Sequence, residues 1–340
     1  MSYRELARSS GPWFLLLGLA ARLPYAMLPL ATLLWLRGGG VSFTQAGGVA
    51  AAQSVAIAVG GLIVGRLADR YGPRRVGVVA ALLNAAMVAV MIAAGPRAWV
   101  VAVLAGLTQP QVGPLVRVHW ALSRPDLLPV ALSFETAADE VGFILGPVIA
   151  GLPIMLLLVL GAAAPFALRY DRGRPEPVSA KAIGWRSVAV LVGAMAAVGA
   201  IFGAVQTGVT AHGGAGLYAL LGVGSGLGGL LSGWIRLPQS VSAGALLVGM
   251  VTFTVLPLPA AMVIGGATIA PFMVSLFVAA ERRAAGRLGT VIATLSAGGP
   301  VGTAVGQLAA GWLTDRYGPA GAFAVAPVAA LICCVVIRRR

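Results

Sequence analysis

Apolar runs of membrane-spanning length alternate along the chain with short polar breaks. They fall at 11–36, 43–64, 76–94, 99–122, 130–150 and 152–168, then resume at 187–210, 216–235, 241–256, 260–280, 288–313 and 320–337. A helix rises 1.5 Å per residue, so about 20 residues cross a hydrocarbon core about 30 Å thick. The pattern predicts an all-α integral membrane protein with twelve transmembrane helices. The fifth and sixth runs hinge at Gly151-Leu152-Pro153 and the ninth is short, which leaves ten or eleven helices open.

The break after the second run is the most densely charged: Gly65-Arg66-Leu67-Ala68-Asp69-Arg70-Tyr71-Gly72-Pro73-Arg74-Arg75. Gly72-Pro73 predicts a tight turn, because glycine accepts positive φ and proline cannot continue a helix. Four arginines assign that turn to the cytoplasmic face. The longest polar stretch, 169–186, lies at the midpoint and reads as a cytoplasmic linker between two six-helix bundles, 1–168 and 187–340. An internal repeat supports the division. Gly60-Gly61-Leu62 with Gly65 in the second span recurs as Gly228-Gly229-Leu230 with Gly233 in the eighth. Val141-Gly142, Gly146, Ala150 and Gly151 in the fifth recur as Val301-Gly302, Gly306, Ala310 and Gly311 in the eleventh. Both matches lie six spans apart, the register of a duplicated six-helix unit, and such repeats build carriers with a central site between the halves.

Composition agrees with a membrane protein: 59% of residues are hydrophobic, 10% are charged and the mean hydropathy is +0.93. That leaves too little polar surface to coat a soluble globule. The net charge of +14 sits in short clusters between apolar runs, not on an aromatic-interleaved stripe, so nucleic acid is not an expected partner. With the N-terminus inside, nineteen of the 24 basic residues fall on the inner face and three (Arg37, Arg97, Arg316) on the outer, with Arg22 and Arg117 inside spans. This asymmetry predicts a multi-pass protein of the cell membrane with both termini cytoplasmic. The first run follows Arg4 and Arg8 and is read as an uncleaved helix, being too long for a signal peptide. The adjacent Cys333 and Cys334 make neither a disulfide framework nor a metal site. No phosphate loop, metal cluster or nucleophile–base set appears, so no metal, cofactor or enzymatic activity is expected.

The spacing of Gly65, Leu67, Asp69, Arg70, Gly72, Arg74 and Arg75 resembles the loop 2-3 signature of the major facilitator superfamily of secondary transporters. A second string, Gly142-Phe143-Ile144-Leu145-Gly146-Pro147-Val148-Ile149-Ala150-Gly151, is similar to the helix 5 motif of the drug:proton antiporter branch, with Ser133 and Ala150 departing from it. The resemblance implies two pseudo-symmetric six-helix bundles rocking about a cavity, a small-molecule substrate, protons as the coupling ion, and export by a monomer. It also implies that Asp69 sits against the start of helix 11 and holds the outward-open state. An importer of the same fold shares all of these architectural features, and a receptor or membrane enzyme is the remaining alternative. The similar string Gly311-Trp312-Leu313-Thr314-Asp315-Arg316-Tyr317-Gly318 falls on the outer face and is read as a turn and not a second gate.

Three of the ten acidic residues, Glu135, Asp139 and Glu140, lie in the fifth span. A charge there costs about 2.5–3.5 kcal/mol on insertion scales, so it must face a partner or water; a solvated helix end is the other reading. Counting outward from the turn near Asp126 places Arg117 level with Glu135 and Asp139, a buried charge cluster. Arg22 and Glu140 reach similar depth from the inner face and could pair. A carboxylate with such a partner can exchange its pairing for a proton. In the family's fourth helix an arginine precedes the glycine, but Gln109 stands ahead of Gly113 here, which favours Arg22 as the coupling cation. Gln53, Asn84, Gln109, Gln111, Gln206 and Thr207 are candidates to line a substrate cavity, although helix–helix hydrogen bonds explain them equally well.

Overall fold

The computed structural model describes residues 3–127, 131, 134, 135, 138, 139, 141, 142, 145, 146, 148–171, 184–214, 216–232, 237–283 and 288–338. Among them, helix falls at each of the twelve expected places, and none is strand. The membrane helices are α1 (Pro12–Gly38), α2 (Phe43–Tyr71), α3 (Pro73–Ala94), α4 (Trp99–Leu107 and Val112–Ser123), α5 (the helical residues between 131 and 148), α6 (Leu152–Ala167), α7 (Trp185–His212), α8 (Leu217–Ser232), α9 (Gln239–Val255), α10 (Leu258–Glu281), α11 (Leu288–Tyr317) and α12 (Pro319–Arg338). A short helix, Tyr3–Ser10, precedes α1.

The charged break between α2 and α3 is narrower than its sequence suggests. Arg66, Asp69 and Arg70 lie on the last turns of α2, Arg74 and Arg75 on the first turn of α3, and the chain turns at Gly72 alone, with φ 86°. Leucine, alanine and arginine are good helix formers, so α2 propagates until glycine reverses the backbone and proline, which needs no N–H donor at a first position, opens α3. Helix α4 breaks where Pro110 lacks an amide hydrogen. The Gln109 N–H bonds to the Gly106 carbonyl, and the Ala105 carbonyl is taken instead by Asn84 Nδ2 at 2.7 Å. Helix α6 carries a π turn at Val159–Ala163.

Glycines set the packing, because a residue without Cβ lets two backbones meet. A Cβ on Gly60 would stand 2.2 Å from the Leu107 carbonyl oxygen of α4, and one on Gly228 would stand 2.1 Å from the Ala267 oxygen of α10. A Cβ on Gly146 would meet Ala26 of α1 at 2.8 Å, and those on Gly302 and Gly306 would meet the Ala196 and Ala200 oxygens of α7 at 1.7 and 2.1 Å. The recurring strings thus make recurring contacts: α2 on α4 and α8 on α10, α5 on α1 and α11 on α7. Two apolar cores follow. One is built from residues between Leu6 and Tyr170, the other from residues between Val188 and Ile337 joined by Leu30. The chain therefore folds as two six-helix bundles, with Leu82, Leu83, Leu230 and Val248 among the side chains left on the apolar exterior.

Helices α2 and α11 run antiparallel across the junction between the bundles. A Cβ on Gly47 would lie 2.5 Å from the Gln307 oxygen, and one on Gly311 would lie 2.5 Å from the Phe43 oxygen. Ser54 Oγ donates to Gln307 Oε1 at 3.0 Å. Leu34 of α1 and Ala150, after α5, also pack on the second core. Beside the rim at Phe43 the bundles are closed on each other. At the opposite end of α2, Gly65 has open space and Asp69 is exposed.

Candidate functional site

The site is assembled from one arginine of α1, one of α4 and two carboxylates of α5. Glu135 and Asp139 are four residues apart and so share a helix face. That face is turned to α1, where the close approach of Gly146 to Leu23 and Ala26 brings the two helices together. Arg22 Nε donates to Asp139 Oδ1 at 2.7 Å, and Arg22 Nη2 pairs with Glu135 Oε2. The third donor direction is used by Nη1, which gives a 2.8 Å bond to the Gly18 carbonyl one turn back on α1. From α4, Arg117 Nη2 donates to Asp139 Oδ2 at 2.8 Å, and Trp120 Nε1 donates to Glu135 Oε1 at 2.8 Å.

Burial is graded across the cluster. The Arg22 and Glu135 side chains are 4% and 2% exposed, whereas Asp139 and Arg117 are 30% and 36% exposed. Removing ions from water costs several kcal/mol each, and only partners of opposite charge with good hydrogen bonds offset it. Glu135 therefore sits in the dry part, paired with Arg22 and accepting from Trp120, while Asp139 bridges that part to the more open one. Among the described residues Asp139 alone bonds to both arginines, so its charge links α1 and α4.

The sequence-derived candidates separate into those the fold gathers and those it does not. Arg22, Arg117, Glu135 and Asp139 come together; Glu140 and Pro147 lie outside the described residues. Arg22, whose expected partner Glu140 is not among those residues, pairs with Glu135 and Asp139. Gly142 and Gly146 face α1, and Gly151 is the extended residue that separates α5 from α6. The six polar candidates are buried within the helix packing. Gln53 Nε2 bonds to Thr32 Oγ1 and the Ala102 carbonyl, Gln109 Nε2 to the Pro24 carbonyl, Gln111 Nε2 to the Gln109 carbonyl at 3.5 Å, and Thr207 Oγ1 to the Gly203 carbonyl. Gln206 belongs to a longer chain, accepting from Gln307 Nε2 at 3.3 Å and donating to Tyr218 Oη at 3.2 Å.

Two residues of this network escaped the sequence reading, and a third residue, Asp315, stood in a string read only as an outer-face turn. Trp120 lies three after Arg117 and so on the same face of α4, a spacing that could have marked it. Gln307 is a buried mid-span amide like Gln53. Asp315 repeats, string for string, the setting of Asp69. It does not sit in a loop: it lies on the last turn of α11, and its carboxylate accepts from the Phe43 and Thr44 amides of α2 at 3.0 and 2.7 Å.

No curated protein matches the sequence. Among solved structures, the fold is similar to a variant of the nucleoside transporter NupG (TM-score 0.74, 12% identity, covering 96% of this chain and 98% of that one). It is also similar to the POT family transporter PepTSo (TM-score 0.73, 13% identity, 96% and 97% covered) and to the human organic anion transporter MFSD10 (TM-score 0.65, 17% identity, 95% and 98% covered). At such identities the likeness is one of fold. The family model for the Major Facilitator Superfamily matches residues 14–206, which is more than half of the 340 and runs from α1 through both arginines and both carboxylates of the cluster into α7. Two bundles of recurring helix contacts and a sequence match from residue 14 through the rest of the first bundle meet in one conclusion: this chain is a membrane transporter belonging to the major facilitator superfamily.

Proposed function

We propose that the chain is a proton-coupled exporter of a small molecule, working as a monomer by rocking bundles 1–168 and 187–340 about a central cavity. In this reading the arginine-rich Tyr71 end of α2, both termini and the linker 169–186 face the cytoplasm, and the Phe43 end faces outward. The observation that carries it is the bridging of Arg22 and Arg117 by one partly exposed carboxylate, Asp139. Asp139 can take a proton at the carboxylate oxygen. Its charge is then lost, Arg117 is released and Arg22 keeps Glu135 as its carboxylate partner, so one proton changes the attachment of α4 to α1. Substrate leaving the cavity against the entering proton completes the exchange. The helix 5 string around Gly142 and Gly146 supports export.

The test is proton flux in vesicles of known orientation. A screen of export in a strain lacking other pumps first supplies a substrate. Asp139→Asn is then expected to abolish substrate-dependent proton movement in protein that still inserts and folds; unchanged flux in Asp139→Asn and Glu135→Gln rules the coupling route out. A proton-coupled importer is the second reading, favoured by similarity to a structure described as a proton dependent oligopeptide transporter (TM-score 0.69, 14% identity). Accumulation of substrate by right-side-out vesicles under an inward proton gradient would select it.

A further inference from the structure

We infer that Asp315 is a latch that holds the two bundles shut at the Phe43 end, through the unpaired amides of a helix in the opposite bundle. A helix leaves its first N–H groups without partners, and a carboxylate placed on them is favoured by both hydrogen bonding and the helix dipole, even at an exposed end. At the start of α2 those donors can be followed one by one. Ser42 is the N-cap, and its Oγ accepts from the Gln45 amide at 3.2 Å. Among the described residues the Phe43 and Thr44 amides have no acceptor in their own bundle; both are bound by the two oxygens of Asp315, 272 and 271 residues away. The carboxylate thereby completes a cap that Ser42 begins, and its negative charge lies on the positive end of the α2 dipole.

Its placement marks it as a latch and not as packing alone. Gly47 and Gly311 let the α2 and α11 backbones touch one turn further in, so the carboxylate sits where separation of the bundles at this end must begin. The string that holds it is also a repeat. Gly311-Trp312-Leu313-Thr314-Asp315-Arg316-Tyr317-Gly318-Pro319 and Gly65-Arg66-Leu67-Ala68-Asp69-Arg70-Tyr71-Gly72-Pro73 agree at seven of nine positions. Each ends a helix at a positive-φ glycine, 71° at Gly318 and 86° at Gly72. Because α2 and α11 are antiparallel, the two strings stand at opposite ends of one helix pair. Each carries an aspartate at the C-terminal end of its own helix, and the structure shows the one at 315 bound to the N-terminus of the other.

The test uses thiol accessibility of Ser54→Cys in the purified full-length chain, with Cys333 and Cys334 replaced by alanine. Ser54 is 1% exposed beneath the closed junction, so its labelling reports opening at the Phe43 end. Asp315→Ala is expected to raise the labelling rate about 2- to 30-fold, the range that loss of a helix cap produces. An unchanged or lower rate overturns the latch. A second pair removes the donor and leaves Asp315 in place. Ser42 has φ −61° and ψ 158°, a backbone that accepts a following proline, so Phe43→Pro deletes one amide at a first helical position. Labelling in Phe43→Pro should exceed that in Phe43→Ala, and equal rates overturn the proposal even where Asp315→Ala fails to fold. The readout needs neither substrate nor a proton gradient, so its failure is distinct from failure of the export reading.

Discussion

At the scale of single residues, the chain keeps Arg22 in the membrane by setting two carboxylates, Glu135 and Asp139, and the Gly18 carbonyl around its guanidinium. The predicted consequence is an asymmetry between breaking the pair and removing it. Arg22→Met leaves Glu135 buried without its cation, a loss of about 3–5 kcal/mol, whereas Arg22→Met with Glu135→Met removes both desolvation costs and should recover most of it. Thermal unfolding in mild detergent checks this; a single variant that melts with the parent would contradict it. These residue types were legible in the sequence, because charges inside apolar runs are costly enough to stand out. Their pairing was only half legible. Counting depth along the spans put Arg117 level with Asp139, but depth carries no angle, so it did not set Glu135 and Asp139 against Arg22. Trp120 was missed because an indole in an apolar run looks like packing until its N–H is seen on a carboxylate.

Among elements, the contacts that matter most are made by absence of side chain. A methyl group on Gly302 would lie 1.7 Å from the Ala196 oxygen, so Gly302→Val must force α7 and α11 apart; a cost of at least the about 1–3 kcal/mol typical of overpacking is expected. Gly48, with open space where its Cβ would be, should accept alanine without loss. The fraction of each variant recovered as a single monodisperse species is the measurement, and equal recovery of Gly302→Val and Gly48→Ala would refute the packing argument. The sequence announced these close approaches through repeated glycine strings, and the six-span register of the repeat predicted that they would come in matched pairs. It did not say which helix each string touches. The break between α2 and α3 was likewise placed correctly and sized wrongly: charge density reads as loop, while the helix continues through Asp69 because nothing before Gly72 opposes it.

For the whole molecule, apolar patterning was enough to reach the architecture, since only helices with internally satisfied backbones can cross hydrocarbon here. The conformational state was not legible, because one sequence serves every state of a carrier and only coordinates show which rim is closed. Two opposed effects follow from the α2–α11 pair. Asp69→Ala should shift the population toward closure at the Phe43 end, and Asp315→Ala away from it, with the double variant returning toward the parent. Distances between spin labels placed on the two bundles at each rim would check the three signs, and a shift of both single variants in the same direction would refute the arrangement. The lengths of these two helices add a last point. Helices α2 and α11 have 29 and 30 residues, about 44 Å at 1.5 Å per residue against a hydrocarbon thickness of about 30 Å. Both aspartates must therefore stand in the headgroup layer, where mobile counterions screen fields within about 8 Å at physiological ionic strength. The resting balance of the carrier should accordingly respond to bulk electrolyte and to the fraction of anionic phospholipid, which makes the surrounding bilayer a setting of the machine as well as its solvent.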